Sequence, residues 1–405
     1  MTGATIDRQA LMRRLAENGL DGMALAKSHP ALFADAVVDI GQEAWRAMTD
    51  IVAAIETVVA SPAYRQAALA QAPDIARHDP GYPGVFLAYD FHLGGQGPQL
   101  IEINSNAGGG MLNACLLAAL PAGEGRGGRS AGQVEELFLA MFREEWRLAK
   151  GGPARLERIA IVDDDPRGQF LWPEFQLFRH LFRAAGIDAL IADPGELFLA
   201  GERLMHASGP VDMIYNRLTD FALREDAHAH LRFAWQAGGV VLTPHPGTHA
   251  LYADKRNLIF LSDPAWLAAA GVSPELRRVL LAGIPRTLPV TRENADTFWQ
   301  ERRKWFFKPA AGFGSRAVYR GDKLTRRVFA QIAASPSGSH IAQALVPPST
   351  WRITQDGEAR ELKVDIRNYA YRGKIQLTAA RLYQGQTTNS RTPGGGFAAV
   401  RFEKG

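Results

Sequence analysis

The stretch ELKVDIRNYAYRGKIQLTAARLYQG, residues 361–385, reads as two long alternating strands across the turn Tyr371-Arg372-Gly373. A hairpin of that length makes the C-terminal region, from about Arg286, rich in sheet. Its neighbours agree. KWFFKPAAGFGSRAVYRG reads as a hairpin with a glycine loop, HIAQALVPP as a strand stopped by Pro-Pro, and TTNSRTPGGGFAAV as a glycine-rich run.

The rest of the chain has a different texture. From Asp7 to about Ala70 the pattern is helical, with Val38, Trp45, Met48, Ile51, Val52, Ile55 and Val59 near a 3.6-residue period. After the helix VEELFLAMFREEWRLA, the segments RIAIVDDD, EFQLFRHLFRAAG and IDALIAD alternate strand, helix, strand and predict a parallel sheet. VDMIYNRL and GGVVLTP read as further strands of it. No G-x-G-x-x-G follows the first strand, which disfavours a nicotinamide-dependent oxidoreductase. PAGEGRGGRSAGQ, residues 121–133, lacks the Lys-Ser/Thr of a phosphate loop and reads as a flexible connection.

Bulk properties narrow the function class. A chain of 405 residues suits about two or three domains. The net charge of +4 comes with no basic run, so a nucleic-acid tail is not expected, whereas an anionic substrate such as a nucleotide fits. The single cysteine, Cys115 in MLNACLLAAL, excludes an internal disulfide framework and reads as a small buried residue. With no signal-peptide core and no apolar run near the ~20 residues of a membrane span, a cytoplasmic protein is expected, without a membrane partner.

Chemistry concentrates in four places. YDFHLGGQGPQLIEINSNAGGG, residues 89–110, reads as strand, turn, strand and glycine-rich exit. Glu102 and Asn104 lie two apart, so they share a strand face, and Asp90 can sit across from them. Hard oxygen ligands so placed suit Mg²⁺, although a hairpin with a polar solvent face explains the alternation equally. Lys308 ends an apolar strand before the loop Gly312-x-Gly314, a pattern for closing backbone N–H groups over phosphate. Lys255, in ADKRNL, is a second cation, and the strand around Gln343, Ala344, Leu345 and Val346 can pair with an adenine edge. His245 and His249, in TPHPGTHALYADK, have metal-like spacing, but Pro246 and Gly247 favour loop packing.

The order Asp-Lys, strand-Lys-Pro with a glycine loop, then an apolar Gln-x-Leu-Val strand resembles the ATP-grasp superfamily. VDIRNYAYRGKIQLTAARLYQGQTTNSRTPGGG is similar to its glutathione-synthetase-like and glutamate-ligase members. There the chain next supplies an Asp and a Glu-x-Asn. Here these stand at the front, as Asp90, Glu102 and Asn104, so the resemblance is to circularly permuted members such as glutathionylspermidine-synthetase-like enzymes. It covers roughly residues 80–115 and 155–405.

The resemblance implies a mixed α+β and α/β chain with a permuted ATP-grasp fold, a parallel pre-ATP-grasp domain and an N-terminal helical segment. The implied divisions are 1–80 helical, 81–150 metal hairpin and helices, 151–284 the α/β domain, and 285–405 lid and core strands. It implies ATP and Mg²⁺ as cofactors, with Asp90, Glu102 and Asn104 on the metal. Lys255, Lys308, Gly312, Gly314, Ser315 and Gln343 to Val346 would hold the nucleotide. Arg381, Arg367 and Asn389 would serve the transferred phosphate or substrate, and Arg391 the substrate, while Arg217 in YNRLTDF either faces the substrate cleft or forms a salt bridge with the N-terminal domain. The implied activity joins a small carboxylate to an amine through an acyl phosphate. A non-catalytic ATP-binding module is the alternative. The substrate pair, the role of the first eighty residues, oligomeric state and pathway are not legible in the sequence.

Overall fold

The computed structural model describes residues 4–120, 128–312, 317–355, 358–389 and 391–403. Strand β1 (Phe33–Ile40) ends at Gly41, whose extended backbone leads into the helix Gln42–Val59. The helical period expected across this junction breaks there. Val38 lies in β1 opposite Val400, because β-branched Val37 and Val38 suit a pleated surface and Gly41 separates them from the helix. The helix buries Met48, Ile51, Val52, Ile55, Val58 and Val59 along one face.

The hairpin β2 (Leu87–Gly94) and β3 (Gly97–Asn104) forms as its sequence predicts and exits through glycines into the helix Gly110–Leu117. At Gly109, with φ of +94°, a Cβ would stand 2.3 Å from the Phe397 ring. Only glycine allows both that conformation and that approach. Cys115 in this helix is buried, and burial pushes its thiol up to about 12, which leaves it unreactive.

An α/β lobe follows the helix Ala131–Lys150. It comprises β4 (Arg158–Val162), the helix Trp172–Ala184, β5 (Asp188–Ala192) and a small meander of β6 (Leu197–Ala200), β7 (Arg203–His206) and β8 (Gly209–Pro210). β9 (Met213–Asn216), the helix Ala229–Gln236 and β10 (Val241–Thr243) complete it. Its parallel sheet runs β10-β9-β4-β5, the arrangement the strand–helix–strand pattern predicts. Phe175, Phe178 and Phe182 of the first helix enter the core that also holds Phe86, Phe138, Phe142 and Tyr215.

A third sheet, ordered β11-β14-β12-β13, is built from β11 (Thr287–Pro289), β12 (Trp305–Pro309), β13 (Tyr319–Arg320) and β14 (His340–Ala344). Phe298, Trp305, Phe307, Phe329 and Ile332 form its own small core. The final strands are β15 (Ser349–Gln355), β16 (Glu358–Tyr371), β17 (Lys374–Tyr383) and β18 (Gly396–Phe402).

These last strands combine with the first ones. The seven-stranded sheet runs β1-β18-β17-β16-β2-β3, with β15 also paired to β16. The segment before residue 80 is therefore not purely helical, since β1 pairs in parallel with β18. Register across β16 sets the site: Arg367 faces Asp90 on β2, Asp365 faces Arg381 on β17, and Asp90 faces Glu102 on β3. No helix among the described residues is long and apolar enough to cross a membrane.

Candidate functional site

Because residues facing each other across neighbouring strands share a sheet face, this register gathers charge at one point. Asp90 is 1% exposed and accepts from Arg367 Nε and Nη2, both at 2.7 Å, from Arg381 Nη2 at 2.9 Å and from Asn104 Nδ2 at 3.1 Å. Burial pushes its carboxyl up, but Arg367 and then Arg381 overcome this and hold it below the ordinary range. Arg381 also donates from Nε to the buried Asp365 at 2.6 Å. Asp90, expected as a metal ligand, is here the acceptor of both guanidiniums. Three of these bonds fall on Oδ2 and one on Oδ1, and the two guanidiniums offset the carboxylate's charge.

Glu102 and Asn104 are differently placed. The Asn104 amide nitrogen is committed to Asp90, which leaves its carbonyl oxygen without a protein partner among the described residues. Glu102 pairs through Oε1 with Lys255 at 3.0 Å, and about a third of its side chain is exposed, at 31%. Burial raises its carboxyl, but Lys255 and Lys308 bring it below the ordinary value. An anionic oxygen and a free amide carbonyl on one strand face are hard ligands, and they fit Mg²⁺.

β3 carries a bulge here. Leu100 pairs with Phe91 and Glu102 with Asp90, so Ile101 is left over. Its carbonyl accepts from Lys308 Nζ at 2.7 Å, and Lys308 also donates to Gln343 Oε1 at 2.7 Å. β12 and β14 hold these two residues on neighbouring strands. Burial pushes the Lys308 ammonium down to about 8. Lys255 donates to the Gly312 carbonyl at 2.8 Å, which ties the start of the glycine loop to the second cation.

Apart from the buried Asp365, these charged and polar groups border one cavity of about 880 Å³. Of the residues singled out in the sequence, Asp90, Glu102, Asn104, Arg217, Lys255, Lys308, Gly312, Gln343, Ala344, Leu345, Val346, Arg367, Arg381 and Asn389 line it. Gly314 and Ser315 lie outside the described residues. Arg391 is exposed and does not border the cavity. Asn389 reaches the wall, but its amide is committed to its own loop: it donates to Gln384 and Thr387 carbonyls and accepts from the Arg391 N–H and the Thr392 hydroxyl. The backbone N–H groups of Ala344 and Leu345 bond Arg286 and Lys304 carbonyls, and the Val346 carbonyl meets His92 Nδ1 at 2.8 Å.

The α/β lobe contributes an arm that sequence reasoning largely missed. Asp163 and Arg217 follow the carboxyl ends of adjacent strands β4 and β9, where the crevice of a parallel sheet opens. Burial pushes the Asp163 carboxyl up to about 7 against the pull of Arg217. Arg217 donates to Asn106 and, at 3.2 Å, to Tyr215 Oη. Phe170, Phe175 and Phe221 add apolar walls. The acids ending RIAIVDDD were the available signal for Asp163.

His245 and His249 part company. His245 packs internally, with Nε2 2.9 Å from the Tyr82 carbonyl. His249 lines the cavity, stacked on Phe221 at 4.0 Å. Their segment, expected as loop, is a helical turn Pro246–Thr248 running into a π-helical turn His249–Ala253. Proline is tolerated because it occupies the first helical position, where no N–H is needed.

No protein-family model matches the sequence, and no curated protein matches it. Solved structures do. A glutathione synthetase-like effector from Globodera pallida is 10% identical, with 98% of each chain covered and a TM-score of 0.58. A protein assigned as a gamma-glutamylcysteine synthetase from Methylobacillus flagellatus KT is 12% identical over 77% of this chain and 78% of that one, with a TM-score of 0.47. The ATP-grasp ligase PsnB in complex with its minimal precursor is 12% identical over 61% and 90%, with a TM-score of 0.30. The first of these likenesses extends over nearly the whole of both chains, and it is a likeness of fold. In fold, this chain is similar to that glutathione synthetase-like effector over nearly its whole length.

Proposed function

We propose that the protein is an ATP-dependent carboxylate–amine ligase, built as a circularly permuted ATP-grasp chain. One observation carries the reading: Lys308 of the β12 lobe donates to the Ile101 carbonyl beside Glu102. The front hairpin and the C-terminal lobe thus supply complementary parts of a single polar cavity. In this reading a substrate carboxylate oxygen attacks the γ-phosphorus of ATP, the bond to the β-phosphate oxygen breaks, and ADP leaves. The amine nitrogen then attacks the acyl carbon, the bond to phosphate breaks, and the nitrogen gives up a proton. Lys255 and Lys308 orient the phosphates, and Glu102 and Asn104 would hold Mg²⁺. When bound, that ion offsets phosphate charge. Asp163 and Arg217 offer both signs of charge to an amino-acid-like or peptide-like substrate.

The test is hydroxylamine trapping across a panel of amino acids and small peptides. A hydroxamate formed together with ADP is the expected result; ATP binding with no hydroxamate for any carboxylate would sink the ligase reading. That outcome would favour a non-catalytic nucleotide-binding module. The observation on its side is that Arg381 and Asn389 are already committed to partners within the protein.

Lys308 makes ATP affinity depend on pH. Its charge is fully present below about 8 and lost above. Titration calorimetry is expected to show affinity falling as pH rises through that value, and Lys308→Arg is expected to flatten the profile. Folding responds with the opposite sign. A lysine held below its ordinary 10.5 makes the folded state more stable as pH climbs from about 8 toward 10.5.

A further inference from the structure

We infer that His228 is a positioning residue: it staples together the two loops that form the α/β wall of the cavity, and it frees one of them when its ring loses its charge. The ring is fully buried between two carboxylates, with Nε2 3.0 Å from Asp164 Oδ1 and Nδ1 2.9 Å from Asp220 Oδ2. Asp164 belongs to the loop after β4, and Asp220 to the loop after β9. His228 itself precedes the helix Ala229–Gln236. Three separate segments therefore meet at one imidazole.

The chemistry of the ring makes this staple conditional. An ionised carboxylate only accepts hydrogen bonds, and a neutral imidazole has a single N–H. Both contacts are hydrogen bonds only while a proton is held on each nitrogen. Loss of one proton sets a nitrogen lone pair against a carboxylate oxygen at the same distance. Burial disfavours the charged ring, but the bonds to Asp164 and Asp220 overcome this and raise its pKa above the ordinary 6.5. The other titratable groups nearby are Glu225, Asp163 and His230.

The two arms differ in strength. Asp220 is 9% exposed and also accepts from the Glu225 N–H at 2.9 Å, whereas Asp164 is 50% exposed. Asp164 is the arm that lets go. Its release reaches the cavity directly. The Asp164 N–H donates to Asp163 Oδ1 at 3.0 Å, and its carbonyl accepts from Gln169 Nε2 at 2.6 Å. Asp163 and Gln169 both line the cavity. Asp164, Glu225 and His228 also bring possible ligand atoms within 4.8 Å of one another, but the proton on Nε2 occupies the position a cation would need.

The experiment reads the full chain without substrates, so its outcome is independent of the ligase reading. Hydrogen exchange is followed by mass spectrometry at pH 6.5 and 9, corrected for intrinsic rates, on peptides covering 163–171 and 217–223. Loss of one charge-assisted hydrogen bond is expected to lower protection of 163–171 about tenfold at the higher pH, with 217–223 nearly unchanged. In Asp164→Asn, the amide accepts from a charged ring and donates to a neutral one, so protection is expected to become independent of pH when wild type and variant are both read in an Asp163→Asn background, which removes that carboxyl's own titration near 7. Equal protection of wild-type 163–171 at both pH values overturns the proposal. So does an Asp164→Asn protein that keeps the wild-type dependence.

Discussion

Glu102→Gln is expected to remove most of the Mg²⁺-dependent gain in ATP affinity and to slow ADP formation about 10²- to 10³-fold. The glutamine keeps the volume of the side chain but offers a neutral oxygen where the carboxylate stood. Lys255 retains the Gly312 carbonyl as a partner, and Glu102 is partly exposed. The glutamine oxygen still accepts from the buried Lys255, so the stability cost is expected to be about 1–3 kcal/mol, that of losing a charged hydrogen-bond partner. Calorimetric ATP titrations with and without Mg²⁺ separate these effects. If the variant and the wild type gain equally from Mg²⁺, the assignment of Glu102 and Asn104 is wrong.

Asp90→Ala is expected to act on stability instead, and strongly. Arg367 and Arg381 have side-chain exposures of 10% and 16%, and both depend on Asp90 for charge compensation. Removing one partner of a buried ion pair costs about 3–5 kcal/mol, because the remaining charge has no compensation. Arg381 keeps Asp365, whereas Arg367 keeps a contact of 3.4 Å to the Gly108 carbonyl and its place 6.0 Å over the Tyr369 ring, neither of which supplies a full countercharge. The urea midpoint should fall accordingly, whereas Arg391→Ala, at an exposed position, should change the unfolding free energy by less than about 0.5 kcal/mol. A wild-type midpoint for Asp90→Ala would refute the view of Asp90 as the electrostatic anchor of the sheet. Because the Asp90 carboxyl is held below 3.8, its contribution is complete above that pH and disappears as pH falls through the depressed value.

The contrast between Asp90 and Glu102 shows how far the sequence could be read. Spacing alone places Glu102 and Asn104 on one strand face, and the structure keeps them there. Whether a carboxylate is available to a cation depends on its neighbours. The two arginines that close over Asp90 come from strands 277 and 291 positions away. Asn389 is similar, since its loop folds back on its own amide. In the N-terminal region the apolar positions around Val38 are compatible with either period, and pairing with β18 decides for a strand.

Local pattern by itself determined the alternating hairpins, the parallel α/β unit, the burial of Cys115 and the clustering of Lys308 with a glycine loop. Each of these depends on side-chain period or backbone freedom within a few residues. Only tertiary structure decided that β2 and β3 lie beside β16, that the Ile101 carbonyl meets Lys308, and that Asp163 and Arg217 line one cavity wall with His228 buried behind it. Sheet order and register bring together side chains that no local period relates. The charge state of a buried group then follows from what surrounds it rather than from its own identity.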